Sequence, residues 1–370
     1  MRRSLKAIAI LSLLLFQNYI FAQENKNSSV PEAVPILGTQ LLHINSSIVN
    51  QEYDLYINLP RNYSDTSKIF PVLFLVDAQW DFPLVQSLYG EQYYDGFVPS
   101  IVVVGITWGG KNPNYDILRQ RDLTPSLVQA TQPSGNASKF LESIKKEIIP
   151  FVESKYRVTK DRALMGSSLG GLFTLYALFN ETNLFSRYVL TSPSLSWGNG
   201  ILYKIEKSFS EKNTSLPAKL FMGIGGYEDV LTLQKFTDLL RERKYKGLDI
   251  EFRPIEGNGH SGSKAEGYTR GLQFVYQRPT VKLDKSILEQ YTGAYELFVV
   301  SSIKIAMEND QLVAITPDNN KITMHAETEK DFFLKGQYLF VHFVKDDSGK
   351  VTGFNLETFG GKQFIKKINN

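Results

Sequence analysis

Between residues 53 and 277 short apolar runs alternate with stretches of helical periodicity, and this alternation restricts the fold more than any other feature. The runs of strand character are Tyr53–Leu59, Phe70–Asp77, Ile101–Thr107, Ala163–Gly166, Tyr188–Ser192, Lys219–Gly223 and Ile250–Ile255. Helical patterns fill Ser138–Tyr156, Leu169–Phe179, Leu233–Lys244 and Ala265–Gln277. In the first of these, Phe140, Ile144, Ile148 and Phe151 recur about every 3.6 residues and give one apolar face. Alternation of this kind implies an α/β fold, a mostly parallel sheet flanked by helices on both faces. After Pro279 the pattern changes to short strands such as Tyr338–Val344 and Val351–Thr358, joined by turn residues at Asp346-Asp347-Ser348-Gly349. An α/β domain over residues 39–279 followed by a small all-β domain over 280–370 is the expected organisation.

The N-terminus reads as an export signal. Arg2, Arg3 and Lys6 precede the apolar run Ala7–Phe16, and a cut after Ala22 would leave a polar leader at 23–38. That run is too short for a comfortable membrane span, and no later stretch reaches about 18 apolar residues. The mature chain is therefore expected to be exported, periplasmic or secreted, with no integral membrane span. The three N-terminal basic residues also equal the whole surplus of 41 Lys+Arg over 38 Asp+Glu. Without a basic cluster elsewhere, a nucleic-acid partner is not expected. Cys is absent, which excludes disulfides, thiolate metal sites and a cysteine nucleophile. Gly109-Gly110 and Gly257-x-Gly259 lack the strand–helix setting of phosphate loops, so no cofactor or metal is expected.

Chemistry concentrates at Ala163-Leu-Met-Gly166-Ser167-Ser168-Leu169-Gly170-Gly171. Gly166-x-Ser168-x-Gly170 falls where a strand ends and a helix begins, the setting of a nucleophile elbow, in which small residues let the chain turn sharply beneath an exposed Ser Oγ. Ser168 is the candidate nucleophile; Ser167 lacks the flanking spacing. Its base should be a neutral histidine. Of the four, His43 precedes the serine, whereas His325 and His342 lie in the β region. His260, in the loop Glu256-Gly-Asn-Gly-His260 after a strand, remains. The third group must be a carboxylate holding the imidazole tautomer. Glu228 and Asp229 both follow the strand Lys219–Gly223 and the turn Gly225-Gly226, and periodicity does not choose between them. One of them could cap the next helix. Oxyanion donors are expected from the N–H of Leu169 and from a loop Ala78-Gln79-Trp80, with Ala78 or Gln79 as second donor and Asp77 bracing that loop.

Several motifs together resemble the putative esterase family of α/β-hydrolases over about residues 40–278. They are Phe70–Asp77, Val102-Val-Val-Gly-Ile106, Arg121-Asp-Leu-Thr-Pro125, Ile148-Ile-Pro-Phe-Val-x-x-x-Tyr156-Arg157, Met165-Gly-Ser-Ser-Leu-Gly-Gly-Leu172 and Ser192-Pro-Ser-Leu-Ser-Trp197. The family includes siderophore, feruloyl and acetyl-xylan esterases and S-formylglutathione hydrolases. The resemblance implies Ser168 as nucleophile, His260 as base and, through Gly225-Gly-Tyr-Glu228, Glu228 as the acid. Leu288-Glu-Gln-Tyr-Thr-Gly-Ala-Tyr295 resembles the small β domain appended to some serine β-lactamase-like hydrolases, which implies no catalytic residue.

The expected substrate is a small-molecule or oligosaccharide ester. Trp80, Tyr93, Tyr94, Trp108 and Trp197 fall on segments expected to rim the site and favour a bulky or aromatic group. Arg121 could meet an anionic or catecholate group, or form a structural ion pair. Siderophore-type or aromatic esters are the first reading, feruloyl or acetyl-xylan-type esters the alternative. A catalytically silent binding protein on a hydrolase scaffold is the alternative from a different class.

Overall fold

Consecutive residues of the run Phe70–Leu75 feed opposite cores, Val72 and Phe74 one and Leu73 and Leu75 the other. A strand buried on both faces belongs inside a sheet covered by helices on each side, and the computed structural model of the protein shows that sheet. It describes residues 34–298 and 301–368; the expected signal peptide at 1–22 and most of the leader at 23–38 lie outside the described residues. Residues 38–370 form one compact unit.

The main sheet contains β1 (Thr39–Ser46), β2 (Gln51–Asn58), β3 (Phe70–Leu75), β4 (Val102–Trp108), β5 (Val158–Ser167), β6 (Arg187–Thr191), β7 (Ser215–Gly225) and β8 (Lys246–Ile255). Their order is β1-β2-β4-β3-β5-β6-β7-β8. β1 and β2 are antiparallel to their neighbours, and all pairs from β4 to β8 are parallel. The helices are α1 (Ala78–Tyr94), α2 (Tyr115–Leu123), α3 (Ala137–Ser143), α4 (Ile149–Lys155), α5 (Leu169–Asn180), α6 (Trp197–Ser210), α7 (Val230–Arg243), α8 (Ser263–Val275) and the short α9 (Lys285–Gln290). A π-helical turn, Ile144–Ile148, joins α3 to α4. This is an α/β-hydrolase architecture. The seven expected strands are present, while β1, α1, α2, α6 and α9 were not expected. The segment Ala78-Gln79-Trp80 is a correction in kind: it is the first turn of a 17-residue helix, not a loop.

Residues 293–366 build a second, wholly antiparallel sheet, from β9 (Gly293–Phe298) to β16 (Gly361–Lys366) in sequential order. A bridge between Tyr295 and Lys367 brings its ends together into a near-barrel around Tyr295, Phe343 and Phe354. This sheet packs against the far end of α1. Tyr93 meets Tyr338 and Phe359 edge-on, Tyr94 stacks on Phe359, and Arg278 pairs with Glu327. A cavity of about 650 Å³ between the two sheets is lined by Phe70, Pro71 and Ser100, at the amino ends of β3 and β4, and by Tyr338, Phe340 and His342. α1 starts at the carboxyl end of β3 and spans about 25 Å, so the β domain sits at the amino edge of the main sheet.

Candidate active site

Parallel strands deliver their carboxyl ends to one edge, and the expected chemical groups gather there. β5 ends in the elbow, and Ser168 adopts φ 58° and ψ −116°. A non-glycine residue in this region is strained by about 1–3 kcal/mol and persists only where its surroundings enforce it. The enforcement is steric. A Cβ on Gly166 would lie 2.6 Å from the Gly170 carbonyl carbon and oxygen, and one on Gly170 would lie 2.9 Å from Val76 Cγ2. The Ser168 N–H donates to Thr191 O of neighbouring β6 at 3.1 Å, and Ser168 O accepts from the Ser194 N–H at 3.1 Å. Its Oγ is 3.4 Å from Ser194 Oγ. Among the described residues no hydrogen bond links Ser168 to His260. Such contacts commonly tighten only with substrate present.

His260 follows β8, and its Nδ1 is 2.6 Å from Glu228 Oε2. Glu228 Oε1 accepts from Ser192 Oγ at 2.5 Å and from the Gly225 N–H at 2.9 Å. Burial works against ionisation of Glu228, but hydrogen bonds from Ser192, His260 and the Gly225 N–H outweigh it and hold the carboxyl below the ordinary glutamate value. Asp229 turns away: it caps α7, accepting from the Thr232 N–H at 3.2 Å and from Thr232 Oγ1 at 2.6 Å. The structure therefore brings Glu228, and not Asp229, to His260.

Leu169 and Ala78 are the first residues of α5 and α1, and Gln79 is the second of α1. First-turn N–H groups have no partner within their own helix, and among the described residues those of Ala78 and Gln79 meet no backbone acceptor. Asp77 takes a left-handed conformation at the α1 N-cap, and its buried carboxylate is gripped by Arg119 Nε and Nη2 at 3.0 and 2.7 Å. Gln79 Oε1 accepts from Thr107 Oγ1 at 2.8 Å. Serine, imidazole, carboxylate and free N–H donors on one edge are the set that acyl transfer uses.

The expected rim residues divide. Trp80 is 47% exposed and stands 5.4 Å beneath the Arg119 guanidinium. Trp197 is half-buried, its Nε1 donating to Ser126 O. Trp108 is a correction: it ends β4 inside the core, 2% exposed, with Nε1 donating to Asp122 Oδ2 at 2.7 Å. Arg121 is likewise committed, through Nε and Nη2, to Asp122. Tyr93 and Tyr94 serve the contact with the β domain. Sequence reasoning missed Ile117, Leu127, Tyr227 and Leu231, exposed apolar side chains on segments that follow β4 and β7. It also missed Ser192 and Ser194, whose only signal was their place in the Ser192-Pro193-Ser194 motif. As for a cation, His43, Glu52 and Asp54 could approach one together, but His43 Nδ1 already holds Asp54 Oδ1 at 2.7 Å. They lie on β1 and β2, three or more strand positions from β5.

Comparison with known proteins adds a likeness to one family. Residues 46–221 match the family model described as "Putative esterase", and residues 277–367 match a domain of unknown function. The chain is 26% identical over 276 residues to the ferri-bacillibactin esterase of Bacillus subtilis, covering 68% of this chain and 94% of that one. It is 27% identical over 188 residues to a siderophore triacetylfusarinine C esterase of Aspergillus fumigatus, 49% of this chain and 64% of the relative. The crystal structure of the BES protein from Bacillus cereus superposes with a TM-score of 0.60 at 23% identity, over 66% of this chain and 97% of the other. Over residues 46–221 this chain is thus similar to the putative esterase family, and it carries a C-terminal β domain beyond that match.

Proposed function

We propose that this carboxylic ester hydrolase works through Ser168 as nucleophile, His260 as general base and Glu228 as the carboxylate that orients it. The observation that carries the reading is the 2.6 Å contact between His260 Nδ1 and Glu228 Oε2, on the edge that also presents Ser168 from a left-handed elbow. With Nδ1–H donated to Glu228, the other ring nitrogen, Nε2, is free to accept the Ser168 proton. Ser168 Oγ then attacks the ester carbonyl, and the developing oxyanion meets the N–H groups of Leu169 and of Ala78 or Gln79. The imidazolium returns its proton to the departing alcohol. Water, deprotonated by the same imidazole, releases the acid from the acyl-enzyme.

Bulky siderophore-type esters are the substrates this reading favours. Trp80 and Tyr227, the latter 82% exposed, stand on segments leading from β3 and β7, on opposite sides of β5, and offer apolar surface to a large acyl or alcohol part. The relative from Bacillus subtilis is named for a ferri-siderophore ester, which supports the same class. The export signal at residues 1–22 is consistent with an extracytoplasmic substrate, and N-terminal sequencing of the mature protein tests it. Purified protein should hydrolyse p-nitrophenyl butyrate, and a screen of siderophore, feruloyl and acetyl-xylan esters should rank the siderophore esters first by kcat/KM. Absence of turnover on every ester, in folded protein, would sink the reading and leave a ligand-binding hydrolase scaffold.

A further inference from the structure

Ser192 stands directly after β6, 3% exposed, with φ 46°. A positive φ at a non-glycine residue is unfavourable, so the chain accepts strain to hold this side chain here. The Ser192 N–H donates to Gly223 O of β7 at 2.8 Å, which fixes its backbone to the neighbouring strand. From that anchor its hydroxyl donates to Glu228 Oε1 at 2.5 Å. Oε2 of the same carboxylate faces His260. The two oxygens are thus held from opposite sides, one by the sheet and one by the imidazole.

The anchoring extends one group further. Ser263 Oγ, fully buried, is 3.1 Å from Ser192 Oγ and 2.9 Å from the backbone oxygen of His260 itself. A hydroxyl has one hydrogen and two acceptor positions. Ser192 spends its hydrogen on Glu228, so the Ser263 hydrogen is the one shared between Ser192 Oγ and His260 O. A run of hydroxyls thus connects the His260 loop to the carboxylate that its own ring contacts.

We infer that Ser192 is a positioning residue for catalysis: it fixes the Glu228 carboxylate in the orientation that holds the His260 ring, and Ser263 locks this clamp to the loop bearing His260. The inference rests on the Ser-His-Glu reading given above. Glu228 swings on three side-chain torsions, and the Gly225 N–H alone secures one oxygen without fixing the plane of the group. The buried hydroxyl supplies the second constraint. It also favours the ionised carboxylate, which is the form that must persist while imidazolium builds up in the transition state.

The test is steady-state kinetics of Ser192→Ala and Ser192→Gly on p-nitrophenyl butyrate, with pH profiles and melting curves, beside Ser168→Ala and Glu228→Ala. Both Ser192 variants should lose about 10- to 100-fold in kcat, as expected for a lost hydrogen bond to a charged group, while KM stays within about twofold. The acid limb of the kcat profile should move to higher pH, because a carboxylate with one donor fewer is more basic and holds an imidazolium opposite it more firmly. Ser192→Gly removes the same hydroxyl but relieves the strained φ, so it remains folded even if Ser192→Ala does not. Wild-type kcat and an unmoved acid limb in both variants, with Ser168→Ala and Glu228→Ala impaired, would overturn the role of Ser192 alone. Full activity in Ser168→Ala or Glu228→Ala would instead overturn the triad on which the inference stands. Loss of kcat in proportion to a lowered melting temperature, with the pH profile unmoved, would reduce Ser192 to a structural residue and overturn the inference as well.

Discussion

Arg121 and Asp122 are neighbours in the chain, yet the guanidinium of Arg121 folds back to meet both carboxylate oxygens of Asp122, each at 2.8 Å. Asp122 is fully buried, and the same carboxylate also takes Tyr53 OH, Trp108 Nε1 and Asn136 Nδ2. The pair therefore ties β2, β4, α2 and the approach to α3 together behind the site. Arg121→Met should leave a buried carboxylate without its cation and destabilise the fold by about 3–5 kcal/mol, read by urea denaturation. KM for a small ester should not change. An unaltered denaturation midpoint with a raised KM would return Arg121 to the substrate.

The two adjacent serines of the elbow should separate completely. Ser168→Ala should reduce kcat by at least about 10³-fold, leaving only what binding and the oxyanion donors supply. Ser167 is buried at the end of β5, and its hydroxyl has no hydrogen-bond partner among the described residues. Replacing an unpartnered buried hydroxyl by a methyl hydrogen is close to neutral or mildly stabilising. Ser167→Ala should keep most of its activity and melt no lower than the wild type; comparable losses in both variants would undo the assignment.

Glu228 should mark its contribution to stability by a loss in acid. Its native carboxyl titrates below the ordinary value of about 4.5. The stabilisation from its hydrogen bonds is therefore fully present above pH 4.5 and disappears as pH falls through the lowered native value. Melting temperatures of wild type and Glu228→Gln should differ by a constant amount from about pH 8 to about pH 5 and converge below that window. A gap that widens in acid would contradict the direction.

Removal of the β domain should leave the chemistry in place. A chain ending at Gln277 retains every group on the carboxyl edge, because the second sheet touches the first at its amino edge. It uncovers Tyr93, however, whose ring is covered by Tyr338 and Phe359. At about 1.5–3 kcal/mol for a buried aromatic and about 2–4 °C per kcal/mol at this size, the melting temperature should fall by about 3–12 °C. Turnover of p-nitrophenyl butyrate should persist in the folded fraction, verified by circular dichroism. A folded but inactive truncation would mean that the β domain completes the site.

The elbow and His260 were legible because local rules govern them: a small-residue turn between strand and helix, and an order that only one histidine fits. α1 was not. Its buried side, Ala78, Asp81, Phe82, Val85, Tyr89, Gln92 and Tyr93, follows a helical period, but Asp81 and Gln92 are polar while Trp80 and Tyr94 on the open side are aromatic. The apolar pattern is scrambled because Asp81 is buried for its contacts with Lys264 and Tyr268, partners that lie in α8 and are invisible to a local reading. Trp108 failed for a related reason. It ends a strand whose every residue is buried, where sequence reasoning placed it on a rim. Glu228 and Asp229 differ only in direction, and direction follows from where β7 stops and α7 starts.

Residue 168 has two masters whose demands do not coincide. Its backbone angles are those glycine adopts with least strain, so the most stable occupant of this position has no side chain and no oxygen. Ser168→Gly should be the variant that folds most readily, ahead of Ser168→Ala and of the natural sequence. Selection for robustness alone would drift toward that glycine. Under the proposed mechanism, a serine kept here against that drift is there for its hydroxyl, and a glycine at the same place in a homologous chain would mark a scaffold released from catalysis.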